Sequence, residues 1–354
     1  MKILLFGEFS GLHNNLKAGL VELGHDVTIA SGHDGYKMIM GDVNLDPTLP
    51  SFFGKIEARI KPFARLKDFR DYDVVQLINP FFPNAKYFPR LFFYSLLKKR
   101  NKKFFLLAAG SDAYFWRNGR KNLRYGPFNE NLKYDLKAKT FYMESDKSFL
   151  YNTKMVEISD GVIPVMYEYE VSYKNCSKRL NTIPLPINTN AVKYQDNNVR
   201  SKLVIFHGLT RYGFKGTKHV IEAFEELSKK YPNDLELIID GQMPIVDYLK
   251  IMEKSNVVID QVNSFSAGMN ALYALAMGKV VLGGAEPEGL KSLGVSDSPI
   301  INVTPTKTSI INAVEKLLEN RDSISTQGLD GRKFIEEFHC HVKVAKRYIK
   351  TWAS

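Results

Sequence analysis

Cysteine is scarce in this chain: Cys176 and Cys340 stand far apart and outside any CxxC pair. That excludes a disulfide framework and the paired spacing of a zinc site, and it fits a reducing cytoplasm. Long apolar runs are missing too. LFFYSLL stops at Lys98, Lys99 and Arg100, far short of the roughly 20 residues a spanning helix needs. The opening MKILLFGEF has one lysine, a short apolar run and no small-residue cleavage pattern, so it reads as a first strand rather than a signal peptide. Neither glycine-rich phosphate fingerprint is present. No GxGxxG follows a strand and GxxxxGK[ST] does not occur, which argues against a dinucleotide domain and against a P-loop.

What remains is an ordinary folded composition, 44% apolar and 25% charged, in 354 residues. That length exceeds one typical core, so two domains are expected. The net charge of +11 is concentrated: residues 55–139 hold 20 Lys and Arg against 7 Asp and Glu. Within this region FFGKIEARIKPFARLKDF places Phe53, Ile56, Ile60 and Phe63 on one helical side, with Arg59, Lys61, Arg65 and Lys67 mostly elsewhere. YFPRLFFYSLLKKRNKK then sets large apolar residues beside a basic run. Basic amphipathic segments of this kind suit an anionic membrane surface. A core helix with a solvated basic face has the same pattern. Nucleic acid is not expected, because no binding module is recognisable.

In chain order the first half alternates strand and helix. KILLFGE is a strand, GLHNNLKAGLVEL a helix with Leu12, Leu16, Leu20 and Leu23 on one face, and HDVTIAS a second strand. The loop Gly7 to Gly11 carries Glu8 and Ser10. DYDVVQLIN, FFLLAAGSD, GVIPVM and LNTIPLP read as further strands, with a helix over 147–158. Asn79 and Asp112 fall just past strand ends, the ligand-binding edge of a parallel sheet. A helix-capping or turn role is the competing reading for Asp112.

The polar stretch 188–201 marks a boundary, after which a fresh alternation begins. LVIFHG is a strand, HVIEAFEELSKKY a helix and LELIID a strand. Between the first two, LTRYGFKGT combines Arg211 and Lys215 with Gly213 and Gly216, a loop suited to an anion such as a diphosphate. Both cations are expected to face the open cleft; a solvated turn is the plainer alternative. VVIDQVNSFSAGMNALYALAMGKVVLGGAEPE then forms a βαβ unit. Met269, Leu272, Tyr273 and Ala276 recur at helical spacing and Gly278 ends the helix. Ser264, Ser266, Ala267 and Gly268 lead into the helix N-terminus, which suits a phosphate, although an ordinary strand-to-helix loop reads the same way. KFIEEFHCHVKVAKRYIKTW closes the chain as one long amphipathic helix. His339 and His341, two apart, point to different sides and are not metal ligands.

These stretches carry a resemblance. SDGVIPVMYEYEVSYKNCSKRLNTIPLPIN, HGLTRYGFKGTKHVIEAFEEL and SNVVIDQVNSFSAGMNALYALAMGKVVLGG are similar in order and character to a GT-B glycosyltransferase. The similarity is greatest to the large retaining family 4, which includes many bacterial polysaccharide-building enzymes. The resemblance implies an α/β fold of two Rossmann-like domains facing across a cleft. Residues 1–190 would bind the acceptor, 191–335 the nucleotide sugar, and 336–354 would cross back to the first domain. The family pairs two glutamates eight positions apart, and here Phe265 and Tyr273 stand in their places. Tyr273 is no ionised acceptor at neutral pH, so the donor ribose would be held otherwise, by Asp260, Gln261 or Glu288, or nucleotide binding would be weakened.

The activity so implied is metal-independent sugar transfer, with retention, from a nucleotide diphosphate sugar to an acceptor hydroxyl on a lipid-linked or polysaccharide glycan. No cofactor is implied. Arg211 and Lys215 would stabilise the leaving diphosphate. Gly208, Asp240, Gly241, Ser266, Ala267, Gly268, Met269, Asn270 and Tyr273 would line the donor site. Glu8, Ser10, Asn79 and Asp112 would orient the acceptor or the sugar. The expected location is cytoplasmic, peripheral on the inner membrane face. A catalytically silent GT-B subunit bound to a partner enzyme is the alternative that the two missing glutamates raise. A Rossmann-type oxidoreductase or epimerase also fits the alternation, but it lacks the glycine fingerprint.

Overall fold

Short apolar strands, buried on both faces, alternate with helices in each half of the chain, and each half closes its own parallel sheet. The computed structural model describes residues 1–353, so Ser354 lies outside the described residues. The first sheet contains β1 (Lys2–Phe6), β2 (Asp26–Ser31), β3 (Val43–Asn44), β4 (Val74–Leu77), β5 (Lys103–Ala108) and β6 (Gly161–Pro164). Its order is β3-β2-β1-β4-β5-β6, every pair parallel. The second contains β7 (Leu203–Gly208), β8 (Leu235–Asp240), β9 (Val257–Ile259), β10 (Val280–Gly283) and β11 (Ile301–Asn302), in the order β11-β10-β9-β7-β8, again parallel. These are the two common doubly-wound orders. In each, the strand order reverses beside the first strand, and ligands bind at such switch points, outside the carboxyl ends of the strands.

Helix Leu12–Glu22 buries Leu12, Leu16 and Leu20 against the first sheet. Helix Met269–Ala276 is nearly all buried, which explains its mixture of alanines with Met269, Leu272 and Leu275. Gly278, at φ +83, ends it in the left-handed conformation that glycine adopts without strain.

Two elements differ from the sequence reading, and a third narrows a choice that reading left open. LNTIPLP is an extended segment rather than a strand: Pro184 and Pro186 remove donors, leaving an isolated bridge from Val162 to Arg179 and the bonds Leu180 N to Val162 O and Ile183 N to Pro164 O. The closing helix is not continuous. Helix Ile324–Phe334 runs into a wide turn over Ile335–His339, Cys340 takes extended dihedrals and bridges to Ile187, and a second helix runs over His341–Ala353. That last helix packs on the amino-terminal domain, where a Cβ on Gly19 would lie 2.3 Å from the His341 carbonyl oxygen. Trp352 Nε1 donates to Gln76 Oε1 at 3.2 Å, and Lys103 Nζ to the Trp352 carbonyl at 2.7 Å. Third, helix Ser51–Ala64 is not a core helix. Only Gly54 and Pro62 are buried, while Phe52, Phe53 and Ile60 are each more than half exposed.

Candidate active site in the interdomain cleft

The loops after β7 and β9 flank the switch point of the second sheet, and the loops after β1 and β4 flank that of the first. Lys215, at the end of the short helix Tyr212–Lys215, is buried, and its ammonium stands 3.3 Å from Asp260 Oδ1 just past β9. Burial holds the Lys215 pKa below its ordinary value, against the pull of Asp260. Asp260 Oδ2 accepts from the Gly268 amide at 3.3 Å, so the carboxylate ties Lys215 to the entrance of helix Met269–Ala276. Lys215 thus does not face open solvent as the sequence reading expected.

Arg211 lies 3.5 Å above the centre of the Phe214 ring and keeps solvent contact. The surrounding walls still desolvate the guanidinium enough to lower its pKa, the situation of a side chain lining a deep cleft. Two glycines permit close approach here. A Cβ on Gly208 would lie 1.8 Å from the Tyr248 hydroxyl, and one on Gly241 1.9 Å from the Leu209 carbonyl oxygen. Tyr248 OH is buried and has no hydrogen-bond partner among the described residues. Asp240 is exposed, and its carboxylate accepts from the Gly241 amide at 2.7 Å. Ala267, Gly268 and Asn270 are half-buried and Met269 is buried at the helix entrance.

On the facing wall, Glu8 is buried and accepts from the Asn14 amide at 2.8 Å, from Asn14 Nδ2 at 2.7 Å and from the His13 amide at 3.4 Å. Desolvation outweighs these bonds and pushes its carboxyl up to about 7. Ser10, at φ +55, donates its amide to Asp34 at 2.8 Å, and its hydroxyl accepts from Lys37 at the same distance. Tyr36 lies near Thr210 and feels the charge of Arg211 across the cleft.

Two residues singled out for ligand contact are structural. Asp112 is fully buried: Oδ1 accepts from the Phe115 amide and Oδ2 from the Tyr173 hydroxyl, both at 2.7 Å, the capping role. Burial raises its carboxyl to about 6. Asn79 spends its amide on Ala109 O and Ser111 O, and its oxygen accepts from the Phe81 amide. The alternative ribose holders are engaged as well: Gln261 donates to Ser264 Oγ at 3.0 Å, and Glu288 pairs with Arg124 at 3.2 Å.

Carboxylates of the amino-terminal domain occupy backbone amides on the opposite wall, which no sequence pattern announced. Asp135 accepts from the amides of Gly213 at 3.2 Å and Phe214 at 2.9 Å. Glu168 Oε1 accepts from the amides of Phe265 at 2.7 Å and Ser266 at 3.1 Å, and the Ser264 hydroxyl bonds the same oxygen. Phe265 is buried beneath Tyr125, stacked at 4.5 Å and 20°, and Tyr125 OH donates to Glu286 at 2.8 Å. Tyr273 also crosses the cleft, its hydroxyl accepting from Asn15 Nδ2. Among the described residues, no group of three or more His, Cys, Asp or Glu is arranged to hold a metal ion, and no helix is long and apolar enough to cross a membrane.

Two parallel-sheet domains with facing switch points, joined by a final helix that returns to the first, are the GT-B architecture. No family model matches the sequence, and no curated protein is similar to it. Solved structures share the fold over the whole chain. Sucrose-phosphate synthase from Thermosynechococcus elongatus matches with a TM-score of 0.66 at 13% identity, covering 100% of this chain and 98% of that one. HepE of Anabaena, in complex with UDP-glucose, matches at 0.61 and 12%, with both chains covered completely. A putative UDP-N-acetylglucosamine 2-epimerase from Listeria monocytogenes matches at 0.52 and 13%, covering 99% and 95%.

Proposed function

We propose that this chain is a glycosyltransferase that takes a sugar from a nucleotide diphosphate sugar and delivers it to an acceptor hydroxyl. The observation that carries this reading is the cationic pair Arg211 and Lys215, set on the loop after β7 at the switch point, with Lys215 locked through Asp260 to the loop after β9. Breaking a glycosidic bond to a diphosphate sends negative charge onto the leaving group. Fixed cations in a desolvated site stabilise that charge without reorganising. HepE, described with UDP-glucose bound, has the same architecture and supports a uridine nucleotide as the first donor to test.

Retention and independence of metal are carried over from the resemblance to the retaining family. The acceptor in this reading is a glycan on a lipid or a growing polysaccharide, met at an anionic membrane. Support for that comes from one contiguous surface. Phe52 and Phe53 touch at 6.0 Å, Arg59 and Lys86 flank the Tyr87 ring, and Phe63 stacks on Phe92 at 6.1 Å. Phe52, Phe53, Ile60, Tyr87 and Phe92 are all exposed, and so are Lys55 and Lys86. A large exposed apolar patch rimmed by cations is a membrane-facing composition.

The deciding measurement is calorimetric titration with UDP and with UDP-sugars, followed by an assay for sugar release with and without a glycan acceptor. Binding with acceptor-stimulated release supports the transferase. Conversion of the sugar nucleotide without acceptor makes it an epimerase, and no nucleotide signal makes it the silent subunit.

A further inference from the structure

Six buried side-chain polar atoms lack a partner among the described residues: those of Ser31, Trp116, Glu168, Tyr248, Ser266 and Tyr348. Glu168 Oε2 is the one that belongs to a carboxylate, for which an unmet hydrogen bond costs most. Its sister atom Oε1 is saturated by the Phe265 and Ser266 amides and the Ser264 hydroxyl. The carboxylate is therefore rigid, buried to 95%, and half unsatisfied. A mere clamp between the domains would leave no reason for the second oxygen to stay unbonded.

Its contacts link it, through the loop it holds and through its neighbour Tyr169, to the segment that carries the cations. The loop it holds, residues 264–268, ends at the Gly268 amide on Asp260, which carries Lys215. Tyr169, the next residue in helix Tyr167–Ser172, lies close enough to Arg211 for each to affect the other's ionisation. A phosphate oxygen has no proton to give Oε2 and would be repelled by it. A hydroxyl donates. The position is also telling: Glu168 puts a carboxylate against the amide of Phe265, a residue that itself carries none.

Building on the function proposed above, we propose that Glu168, supplied by the amino-terminal domain, is the specificity residue that accepts a hydrogen bond from a hydroxyl of the donor's sugar. Oε1 keeps the side chain in place and Oε2 reads the hydroxyl. Replacing the carboxylate by an amide changes the reading atom while retaining a carbonyl oxygen for the loop amides, so Glu168→Gln is the informative change.

The test titrates UDP, UDP-glucose, UDP-galactose and UDP-N-acetylglucosamine into the wild type, Glu168→Gln and Glu168→Asp, with thermal midpoints measured alongside. The expected result is unchanged UDP affinity in Glu168→Gln, with loss of roughly ten- to a hundredfold in the extra affinity that the preferred sugar adds, the size of a hydrogen bond to a charged acceptor. Should Glu168→Gln fail to fold, Glu168→Asp keeps the charge but shortens its reach, and the same loss of the sugar increment is expected there. An undiminished sugar increment overturns the assignment. So does a rise in UDP affinity, which would make the carboxylate a plug that the nucleotide displaces. Absence of any UDP or UDP-sugar binding in the wild type would instead remove the transferase reading, and this inference with it.

Discussion

The hydroxyl of Tyr273, on the donor-side helix Met269–Ala276, accepts a hydrogen bond of 2.8 Å from Asn15 Nδ2 on the helix Leu12–Glu22 of the facing domain. Asn15 is itself spread over three groups, since Nδ2 also donates to Gly11 O at 2.7 Å and Oδ1 accepts from the Asn188 amide at 2.7 Å. Tyr273 is thus part of an interdomain bridge. Tyr273→Phe strands one buried N–H and is expected to cost about 1–3 kcal/mol in denaturant unfolding. Tyr273→Glu puts a carboxylate near Glu8, whose charge Tyr273 already feels, so it is expected to leave donor affinity unchanged or worse. A marked gain in affinity would mean that the pocket lacks a carboxylate it can use, and would favour the silent-subunit reading.

Arg211 and Lys215 separate into different kinds of cation. Arg211→Ala is expected to lower turnover by roughly two to three orders of magnitude, comparable to losing one preorganised charge-stabilising donor, with little change in thermal midpoint because the side chain keeps solvent contact. Lys215→Met leaves the Asp260 carboxylate buried without its cation, which costs about 3–5 kcal/mol. In the double variant Lys215→Met, Asp260→Asn the midpoint should recover while turnover stays lost. Wild-type turnover in either single variant would remove the diphosphate role, and failure of the double to recover stability would show that the pair is not what the loop rests on.

The sheets were legible because parallel strands buried on both faces read as unbroken apolar runs, as in FFLLAA and LVIFHG. The cationic loop was legible from its glycines and charges. Glu168 was not, because its partners lie about a hundred residues on and its own segment, YEYEVS, reads as an ordinary helix start. Asp112 misled because a carboxylate after a strand looks alike whether it meets a ligand or caps the next turn. The break at Cys340 escaped because the apolar spacing continues through it.

Stability should depend on pH through five buried groups. Burial lowers His13, His207 and His339 from 6.5 to about 4 each. The unfolded chain takes up these protons below pH 6.5 and the native state does not, so stability present above 6.5 is lost as pH falls toward 4. Glu8 and Asp112 act in the other direction. Their raised native values, about 7 and about 6, mean that the penalty of ionising them is relieved as pH falls through those values toward 4.5 and 3.8. Between pH 6 and 4.5 the two carboxyls offset two of the three histidines. Glu8→Gln removes one offset, so its unfolding free energy should fall more steeply than the wild type's below pH 7, by about 1.4 kcal/mol per pH unit. Parallel profiles in urea unfolding from pH 7 to 4.5 would show that Glu8 does not hold its proton.

The exposed patch on helix Ser51–Ala64 and its neighbours makes membrane association separable into two terms. The apolar term rests on Phe52, Phe53, Ile60, Tyr87 and Phe92, each more than half exposed. The electrostatic term rests on Lys55, Arg59 and Lys86, each worth about 1 kcal/mol at an anionic surface and screened once the Debye length falls from about 8 Å to about 3 Å. The protein should therefore pellet with vesicles containing phosphatidylserine or phosphatidylglycerol at low salt, and far less at 1 M salt or with neutral vesicles. Lys55→Gln with Lys86→Gln should weaken low-salt binding by roughly one to two orders of magnitude, the effect of two such cations. Phe52→Ser with Phe53→Ser should remove the salt-resistant remainder. Neither pair should move the thermal midpoint, because these side chains stand in solvent in the free protein. No pelleting of the wild type at low salt would end the membrane reading, and equal pelleting by both double variants would assign the binding to another surface.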